Sequence, residues 1–301
     1  MLINKIKGVF IMIIDKNGNK WFKVGLHVHT NRSDGAFSPE AAARRYKEEG
    51  FDAVALTDHW IHGDEGELEG LKILSGCEYN LGASDTAVDV IHIVGVGMTS
   101  PLDVPRDISR QELIDKINEA GGIAILAHPA WSLNSTQQIE SLHGFSALEI
   151  YNSVSDVCQS FRPYSGIIVD LLANDGYILP LVATDDTHYY EGEDDCKSFV
   201  MVRAESLTRE NILNAIRNGD FYASQGPELY TRREGNKIIA DFSECVKACF
   251  MSNGAWVAGR VHKGECLTHL EYEPAPFEKW VRLEVYDKYG NTAWSNIFGL
   301  R

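Results

Sequence analysis

The chain has 301 residues, of which 44 % are hydrophobic and 24 % are charged, a composition that excludes disordered and fibrous proteins. Its 28 Lys and Arg residues against 43 Asp and Glu residues give a formal net charge of −15. A chain this acidic repels nucleic acid and anionic lipid at long range. We therefore predict neither a membrane partner nor a nucleic-acid partner.

The cysteines and the N-terminus predict a cytoplasmic location. The six cysteines form no C-x-x-C pair and lack the dense spacing of a secreted disulfide scaffold, so we expect reduced thiols. The apolar run at 8–14 is too short to cross a bilayer, and no small-residue cleavage site follows it. We interpret residues 1–20 as an N-terminal extension that includes a strand.

Strand-like and helix-like segments alternate from residue 21 to residue 225. The first strand is predicted over 21–30, and Ser38 followed by Pro39 predicts the start of a helix that ends at Gly50. Further strands are predicted over 51–57, 71–79, 88–98, 123–127, 147–151, 178–184 and 199–202. Further helices are predicted over 109–121, 136–142, 156–174 and 206–218. This order favours a parallel sheet or barrel.

The pattern changes after residue 225. Residues 226–301 contain β-like runs at 237–242, 247–251, 267–273 and 281–285 and no convincing helix. The segment 287–291 has the composition of a hairpin turn. We therefore predict a larger domain over 21–225 and a small all-β, sandwich-like domain over 226–301.

Histidine and carboxylate residues gather at the ends of the predicted strands. His27 and His29 are two residues apart on one strand, so their side chains point to the same face. The other members of this set are Asp34, His59, Glu78, His92, His128, Asp186 and His188. Parallel α/β barrels bring the C-terminal ends of their strands to one face, and such a cluster would be costly to bury without cations. The pattern predicts a site for several divalent metal ions.

The motifs H-x-H, Ser-Asp-Gly, Thr-Asp-His, Gly-x-Glu, two isolated histidines and a final Asp-x-His together resemble the PHP family, named for polymerase and histidinol phosphatase. The resemblance covers about residues 22–225 and implies a distorted (β/α)7 barrel with two or three Zn, Mn or Fe ions. It implies a first ion bound by His27, His29, Glu78 and Asp186. It also implies that Glu78 bridges to a second ion bound by His92 and His128, and that a third ion is bound by Asp34, His59 and His188.

The catalytic groups beyond these ligands are less defined. A water bridging two cations would lose a proton near neutral pH and act as the nucleophile. The proton donor for the leaving group stays open among Asp58, Asp185 and a metal-bound water. Asp185 stands where the family commonly has Ser, and for both aspartates we favour a role in supporting an imidazole. Arg32, in the first loop, is a candidate contact for a substrate phosphate.

Two neighbouring features have simpler interpretations. Glu149 resembles a family position at a strand end and is interpreted as a possible support for the ligands. The acidic run over 191–195 is interpreted as a solvated loop.

Three functions remain open. The first is a phosphoesterase acting on a small phosphorylated molecule such as a nucleotide or sugar phosphate. The second is a metallohydrolase of an amide, carbamate or carboxylic ester. A pocket rich in Lys and Arg would favour the first, whereas an aromatic one using Trp60 or Trp131 would favour the second. The third is a non-catalytic binding module with closed, structural metal sites.

Overall fold

The computed structural model describes residues 13–82 and 89–300. The elements as far as residue 152 are, in order, β1 (Ile13–Ile14), β2 (Lys20–Gly25), α1 (Pro39–Glu48), β3 (Ala53–Ala55), β4 (Gly66–Leu68), β5 (Leu71–Leu74), β6 (Gly76–Leu81), β7 (Ile91–Val96), α2 (Arg110–Glu119), β8 (Ile123–Leu126), α3 (Thr136–Glu140) and β9 (Phe145–Asn152). The predicted alternation and the predicted cap at Ser38, which accepts a hydrogen bond from the Ala41 amide, are confirmed.

The remaining elements are an irregular helical turn (Ser155–Ser160), α4 (Gly166–Asn174), β10 (Leu181–Thr184), β11 (Phe199–Arg203), α5 (Arg209–Asn218), β12 (Phe221–Ser224), β13 (Leu229–Glu234), β14 (Lys237–Ser252), β15 (Val261–Tyr272), β16 (Trp280–Tyr286), β17 (Thr292–Trp294) and β18 (Phe298–Gly299). Across the described ranges, none of the helices combines the length and the apolar character needed to cross a lipid bilayer. Residues 1–12 of the predicted extension, and Val88 at the start of one predicted strand, lie outside the described residues.

Two sheets organise the chain. The larger has the strand order β13-β14-β16-β17-β12-β11-β2-β3-β5-β4, and the smaller has the order β10-β9-β8-β7-β6. Strands β2, β3 and β5 pair in parallel, as do β8, β9 and β10. Strands β6, β7 and β8 pair antiparallel, and so do β2, β11 and β12. The sheets are therefore mixed rather than parallel throughout, because no crossover helix lies between β6 and β7 in the described residues.

The predicted strand over 71–79 consists of two strands in different sheets. β5 pairs with β3 in the larger sheet, whereas β6, after a break at Ser75, pairs with β7 in the smaller one. At Gly76 a Cβ atom would lie 2.7 Å from the Leu56 carbonyl oxygen, so only glycine fits where the chain passes between the sheets. One predicted strand thus contains a change of sheet, at Ser75 and Gly76.

An apolar core packs between the two sheets. Its buried side chains come from both sheets and from α5, and include Val24, Ala53, Val94, Ile125, Val182 and Ile212. Isolated bridges join Val28 to Thr187 and His59 to Glu78, so the ends of β2 and β3 meet the end of β10 and the strand β6. The C-terminal ends of these strands therefore lie together on one side of the core.

The helix predicted over 156–174 is interrupted. Phe161 has a φ of 54°, and Pro163 has no N–H to continue a helix, so α4 begins only at Gly166. Just before α4, the Ser165 hydroxyl accepts a hydrogen bond from the Ala130 amide at 3.2 Å. The segment between β9 and α4 is thereby attached to the loop that follows β8.

Strands without helices fill residues 226–300, all of which are described, as predicted. The two strands predicted over 237–251 form the single strand β14, and the predicted turn joins β16 to β17 through a bond from the Asp287 amide to the Asn291 carbonyl. β17 pairs with β12, so these strands continue the larger sheet. A sandwich arrangement and a domain boundary at 226 stay predictions.

Buried polar contacts attach β16 to α4. Arg282 donates to both carboxylate oxygens of Asp170, at 2.6 and 3.0 Å. It also donates to Glu284, whose carboxylate accepts the hydroxyl of Tyr164. Arg282 and Glu284 are each only 1 % exposed. The C-terminal strands are thus bound to the helix that follows the irregular turn.

All six cysteines are free, as their spacing predicts. Cys77 and Cys245 are buried, and burial raises the pKa of each thiol to about 12. A thiol with such a pKa is protonated near neutral pH and is a poor nucleophile. The chemistry of this chain therefore has to come from other side chains.

Candidate metal centre

The structure brings the nine histidine and carboxylate side chains together at the strand ends. Their donor atoms form three groups, and within each group they lie within 4.8 Å of one another. The first group is His27, His29, Glu78 and Asp186, the second is Glu78, His92 and His128, and the third is His29, Asp34, His59 and His188. These are the sets that the family resemblance implies, except that His29 also reaches the third group.

Glu78 lies at the junction of the first and second groups. Its Oε2 atom is 3.0 Å from His29 Nε2 and 3.2 Å from His27 Nε2. Its Oε1 atom is 2.9 Å from His92 Nδ1 and 3.4 Å from His128 Nε2. Burial raises the pKa of Glu78, but the charges of the surrounding imidazoles hold it well below its ordinary value. An ionised carboxylate therefore offers one oxygen to each group.

Two buried atoms of the cluster suit a cation better than a hydrogen bond. Asp186 Oδ1 lies 3.1 Å from the Nε2 atoms of both His27 and His29, yet it makes no hydrogen bond of acceptable geometry. The same holds for His59 Nδ1, which lies 3.2 Å from Glu78 Oε2. Donor atoms that crowd together without bonding one another fit a shared metal ion, and imidazole with carboxylate suits Zn, Mn or Fe.

The backbone is strained at two of these side chains. Asp186 has a φ of 55° and His128 a φ of 28°, values that are uncommon for residues other than glycine. Strained backbone persists where the surrounding structure holds it, and it collects at functional sites. The strain is consistent with selection for the position of these two side chains.

The third group lies at the mouth of the site. The Asp34 side chain is 50 % exposed, and its Oδ2 atom is 3.4 Å from His188 Nε2 and 3.7 Å from His59 Nε2. Burial raises the pKa of Asp34, but the His188 and His29 imidazoles hold it well below its ordinary value. A site with an exposed ligand keeps room for another molecule, which is the condition for catalysis rather than for a closed structural site.

Asp58 anchors the loop that carries Asp34. It is fully buried and accepts hydrogen bonds from the backbone amides of Thr30 and Ser33, at 2.8 and 3.3 Å, and from both hydroxyls at 2.8 Å. This geometry favours support of the loop over proton donation, and the hydrogen bonds come from Thr30 and Ser33 rather than from the imidazole that was predicted. Arg32 lies on the same loop and is exposed, and its side chain makes no hydrogen bond or ion pair with the described residues. The structure does not bring Arg32 into contact with the cluster.

Asp185 connects the end of β10 to other elements. Its Oδ1 atom accepts the amides of Lys197 and Ser198 at 2.9 and 2.7 Å, and its Oδ2 atom accepts the Tyr46 hydroxyl at 2.8 Å. Burial raises the pKa of Asp185 to about 6, although these hydrogen bonds oppose the shift. The contacts hold the backbone beside Asp186, which favours a supporting role here too.

Glu149 has a larger role than its sequence context suggested. It is 1 % exposed on β9, and its Oε1 atom lies 2.8 Å from His27 Nδ1. Its Oε2 atom accepts the His128 amide at 2.9 Å and the Asn152 amide group at 2.8 Å. An acidic residue inside an otherwise apolar strand was the available signal. By fixing His27 Nδ1, Glu149 turns His27 Nε2 toward Glu78 and Asp186.

Replacing Glu149 by Gln is expected to weaken metal binding by about 10–100-fold, because the His27 ring would lose its charged orienting partner. Competition with a chromogenic chelator measures the affinity. Glu119→Gln, an exposed change on α2, is the matched control and should leave the affinity unchanged. An unaltered affinity in Glu149→Gln would show that His27 is oriented by other contacts.

The acidic run after His188 is not a solvated loop throughout. Asp194 and Asp195 are 0 and 1 % exposed, and only Glu191 and Glu193 face solvent. Asp194 accepts the amides of residues 188, 189 and 190 at 2.6–3.0 Å, and Asp195 accepts Arg45 Nε at 2.6 Å. Burial is tolerated because N–H groups satisfy both carboxylates. The loop shape that presents His188 therefore depends on Asp194.

Comparison with known proteins places the chain in a family. The PHP domain family model matches residues 25–191, a range that contains all nine residues of the cluster. An uncharacterized protein from Methanocaldococcus jannaschii is 31 % identical over 118 residues, which are 36 % of this chain and 67 % of that protein.

One solved structure shares the fold over nearly the whole chain. A Bacteroides vulgatus structure described as "a two-domain protein containing predicted PHP-like metal-dependent phosphoesterase" has a TM-score of 0.55 and 14 % identity, covering 96 % of this chain and 97 % of that chain. The lesion-specific endonuclease EndoQ from Pyrococcus furiosus has a TM-score of 0.49 and 16 % identity, covering 66 % of this chain and 56 % of that one. On the family match and the shared fold, the chain belongs to the PHP domain family.

Proposed function

We propose that the chain is a metal-dependent phosphoesterase that hydrolyses a small phosphate ester such as a nucleotide or sugar phosphate. The observation that carries the proposal is the position of Glu78, whose two oxygens face two separate sets of imidazoles. Such a carboxylate would hold two cations side by side, the arrangement used for in-line displacement at phosphorus. Membership of the PHP family supports a metal-dependent hydrolase, and the fold shared with a protein described as containing a predicted PHP-like phosphoesterase supports the choice of phosphate.

The side chains divide the work between binding and positioning. Two or three Zn, Mn or Fe ions bound by the three groups would supply an activated water and polarise the substrate oxygen. Glu149 orients His27, Asp58 holds the loop of Asp34, and Asp185 holds the backbone beside Asp186. The ligand carboxylates Asp34, Glu78 and Asp186 supply fewer negative charges than three divalent ions supply positive ones, before the nearby carboxylates of Asp58, Asp185 and Glu149 are counted. A small anionic substrate would be attracted by direct contact with the ions, despite the net charge of −15.

A second candidate is hydrolysis of an amide, carbamate or carboxylic ester. It is favoured by Trp131, whose ring centroid lies 4.8 Å from that of His128 and gives the aromatic lining expected for such substrates. Arg32 is on the Asp34 loop without contacting the cluster, and Arg106 lies over the ring of Trp60. The scissile bond therefore has to be assigned by experiment. The half-exposed Asp34 argues against a non-catalytic module.

Removal of metal tests the proposal. Chelator-treated protein should lose hydrolysis of 4-nitrophenyl phosphate, and Mn or Zn should restore it. Asp186→Asn should lose metal and activity together. If metal-loaded protein releases no phosphate from a panel of monoesters and diesters but cleaves 4-nitrophenyl acetate or an anilide, the second candidate replaces the first. If it cleaves none of these, the chain is a binding module.

Three further proposals accompany this function. The bridges between the sheets support closure into the distorted (β/α)7 barrel, with a second domain beginning near residue 226. The free cysteines support a cytoplasmic location. That the chain has no nucleic-acid partner stays a prediction from its net charge.

A further inference from the structure

Two tryptophans flank the His92 side of the cluster. The Trp131 ring centroid lies 4.8 Å from that of His128 and 5.5 Å from that of His92. Trp131 is half-buried and follows His128 by three residues, in the loop that the Ser165 hydroxyl attaches to the segment before α4. Its ring therefore borders the second group without being part of the apolar core.

Trp60 is attached to β6, the strand that pairs with the His92 strand β7. Its indole Nε1 donates to Asn80 Oδ1 at 2.5 Å, and Asn80 is the residue that pairs with His92 between β6 and β7. Residues directly opposite in an antiparallel pair present their side chains on one face of the sheet, so Asn80 and His92 share a face. Trp60 is thereby attached through Asn80 to the face that carries His92, while its ring contacts Tyr79 of the apolar core.

Trp60 is held in place from several directions. It has a φ of 57°, its ring meets that of Tyr79 at 5.1 Å, and the Arg106 guanidinium lies 4.9 Å above the ring. The guanidinium and the hydrogen bond to Asn80 together fix the plane of the indole. We call Trp60 and Trp131 the aromatic wall.

The surroundings of Trp131 are those of a ligand-binding site rather than of an apolar core. Buried aromatic rings normally fill apolar interiors, and Trp60 packs partly against such an apolar cluster, whereas the half-buried Trp131 ring lies beside the imidazoles of His92 and His128. Rigid aromatic rings at the edge of a polar site present a flat apolar surface at low entropic cost. A molecule bound at the second group would have its organic part against this surface.

We propose that the aromatic wall selects substrates whose organic part is a planar aromatic ring. The ring packs against Trp131 while the scissile group lies at the cluster, and Trp60, whose ring face Arg106 covers, borders it. This inference rests on the proposed function for the position of the reacting group, but not for the kind of bond that is cleaved. It makes Trp60 and Trp131 specificity-determining residues, and it favours aryl or base-containing esters over sugar esters.

A pair of metal-binding probes tests the aromatic wall independently of the reaction. Benzohydroxamate and acetohydroxamate chelate a divalent ion through the same two oxygens and differ in the aromatic ring. With metal-loaded protein, calorimetry should give a Kd for benzohydroxamate about tenfold lower than for acetohydroxamate, the scale of one aromatic stacking contact. In Trp131→Ala the ratio of the two Kd values should fall to about threefold or less, and Trp131→Phe should retain most of the tenfold ratio.

Controls separate this inference from the proposed function. Trp256→Ala, at an 80 % exposed residue of the C-terminal strands, should keep the full preference. Trp131→Ala should raise KM for phenyl phosphate but not for glycerol phosphate, with kcat little changed. An equal preference in unaltered protein, Trp131→Ala and Trp60→Ala would overturn the inference, and so would the failure of both hydroxamates to bind. Phosphate assays could fail while the hydroxamate preference stands, or succeed while it is absent, so the two proposals fail separately.

Discussion

Replacing Glu78 by Gln is expected to lower turnover by about a thousandfold or more and to remove most of the bound metal. The variant keeps the size of the side chain but loses its charge, and its amide nitrogen would face one of the two sets of imidazoles that the carboxylate oxygens now contact. No other residue of the cluster belongs to both the first and the second group. Both groups should therefore be affected by one substitution.

Metal content by mass spectrometry and hydrolysis of 4-nitrophenyl phosphate measure the two effects. Glu193→Gln removes the same charge from an exposed position on the loop after His188 and should change neither. Circular dichroism confirms that the Glu78 variant is folded. A folded Glu78→Gln protein with full metal content and turnover within about threefold of the original would show that Glu78 does not bridge two ions.

Replacing Arg282 by Ala is expected to lower the free energy of unfolding by about 3–5 kcal/mol. The change leaves the Asp170 and Glu284 carboxylates without their cation, and Glu284 is only 1 % exposed. Removing one partner of a buried ionic network is costly because the remaining charges stay desolvated. The attachment of β16 to α4 should weaken as a result.

Urea denaturation followed by tryptophan fluorescence measures this loss. Arg44→Ala removes a guanidinium from an exposed pair with Glu69 and should leave the unfolding midpoint unchanged. Arg282→Lys keeps the charge but not the two hydrogen bonds with Asp170. Its loss of unfolding free energy should therefore lie between those of Arg44→Ala and Arg282→Ala. A loss below about 1 kcal/mol in Arg282→Ala would mean that water reaches the network and screens it.

The position of the cluster could be predicted because each residue has its own local signal. His27 and His29 lie two apart at the end of a strand, and His59 and His128 follow apolar runs that are long enough to be buried strands. Strand ends meet on one face in this class of fold, so residues far apart in sequence could be grouped without knowing their contacts. Helix starts such as Ser38 were equally local and were confirmed.

The structure differs from the predicted elements where the local sequence pattern does not reveal contacts with distant residues. The run at 71–79 contains Lys72, Ser75 and Glu78 among its apolar residues, and only the strand pairing shows that its two halves belong to different sheets. The helix predicted over 156–174 is interrupted because Pro163 has no N–H to continue it. The acidic run at 191–195 has the composition of a solvated loop, and the amides that bury Asp194 belong to residues 188–190 in a folded turn.

The sequence by itself determined which residues could bind metal, in what order they occur and which family the motifs resemble. The tertiary structure alone decided which partners the predicted supports Glu149, Asp58 and Asp185 contact, and that Trp131 borders the second group. The physical reason is the separation of the contacting residues along the sequence. Glu149 and His27 are 122 residues apart, and Asp185 and Tyr46 are 139 residues apart. Residue type and spacing predict a side chain's chemistry, but the partner that orients it is chosen only when distant strands pack together.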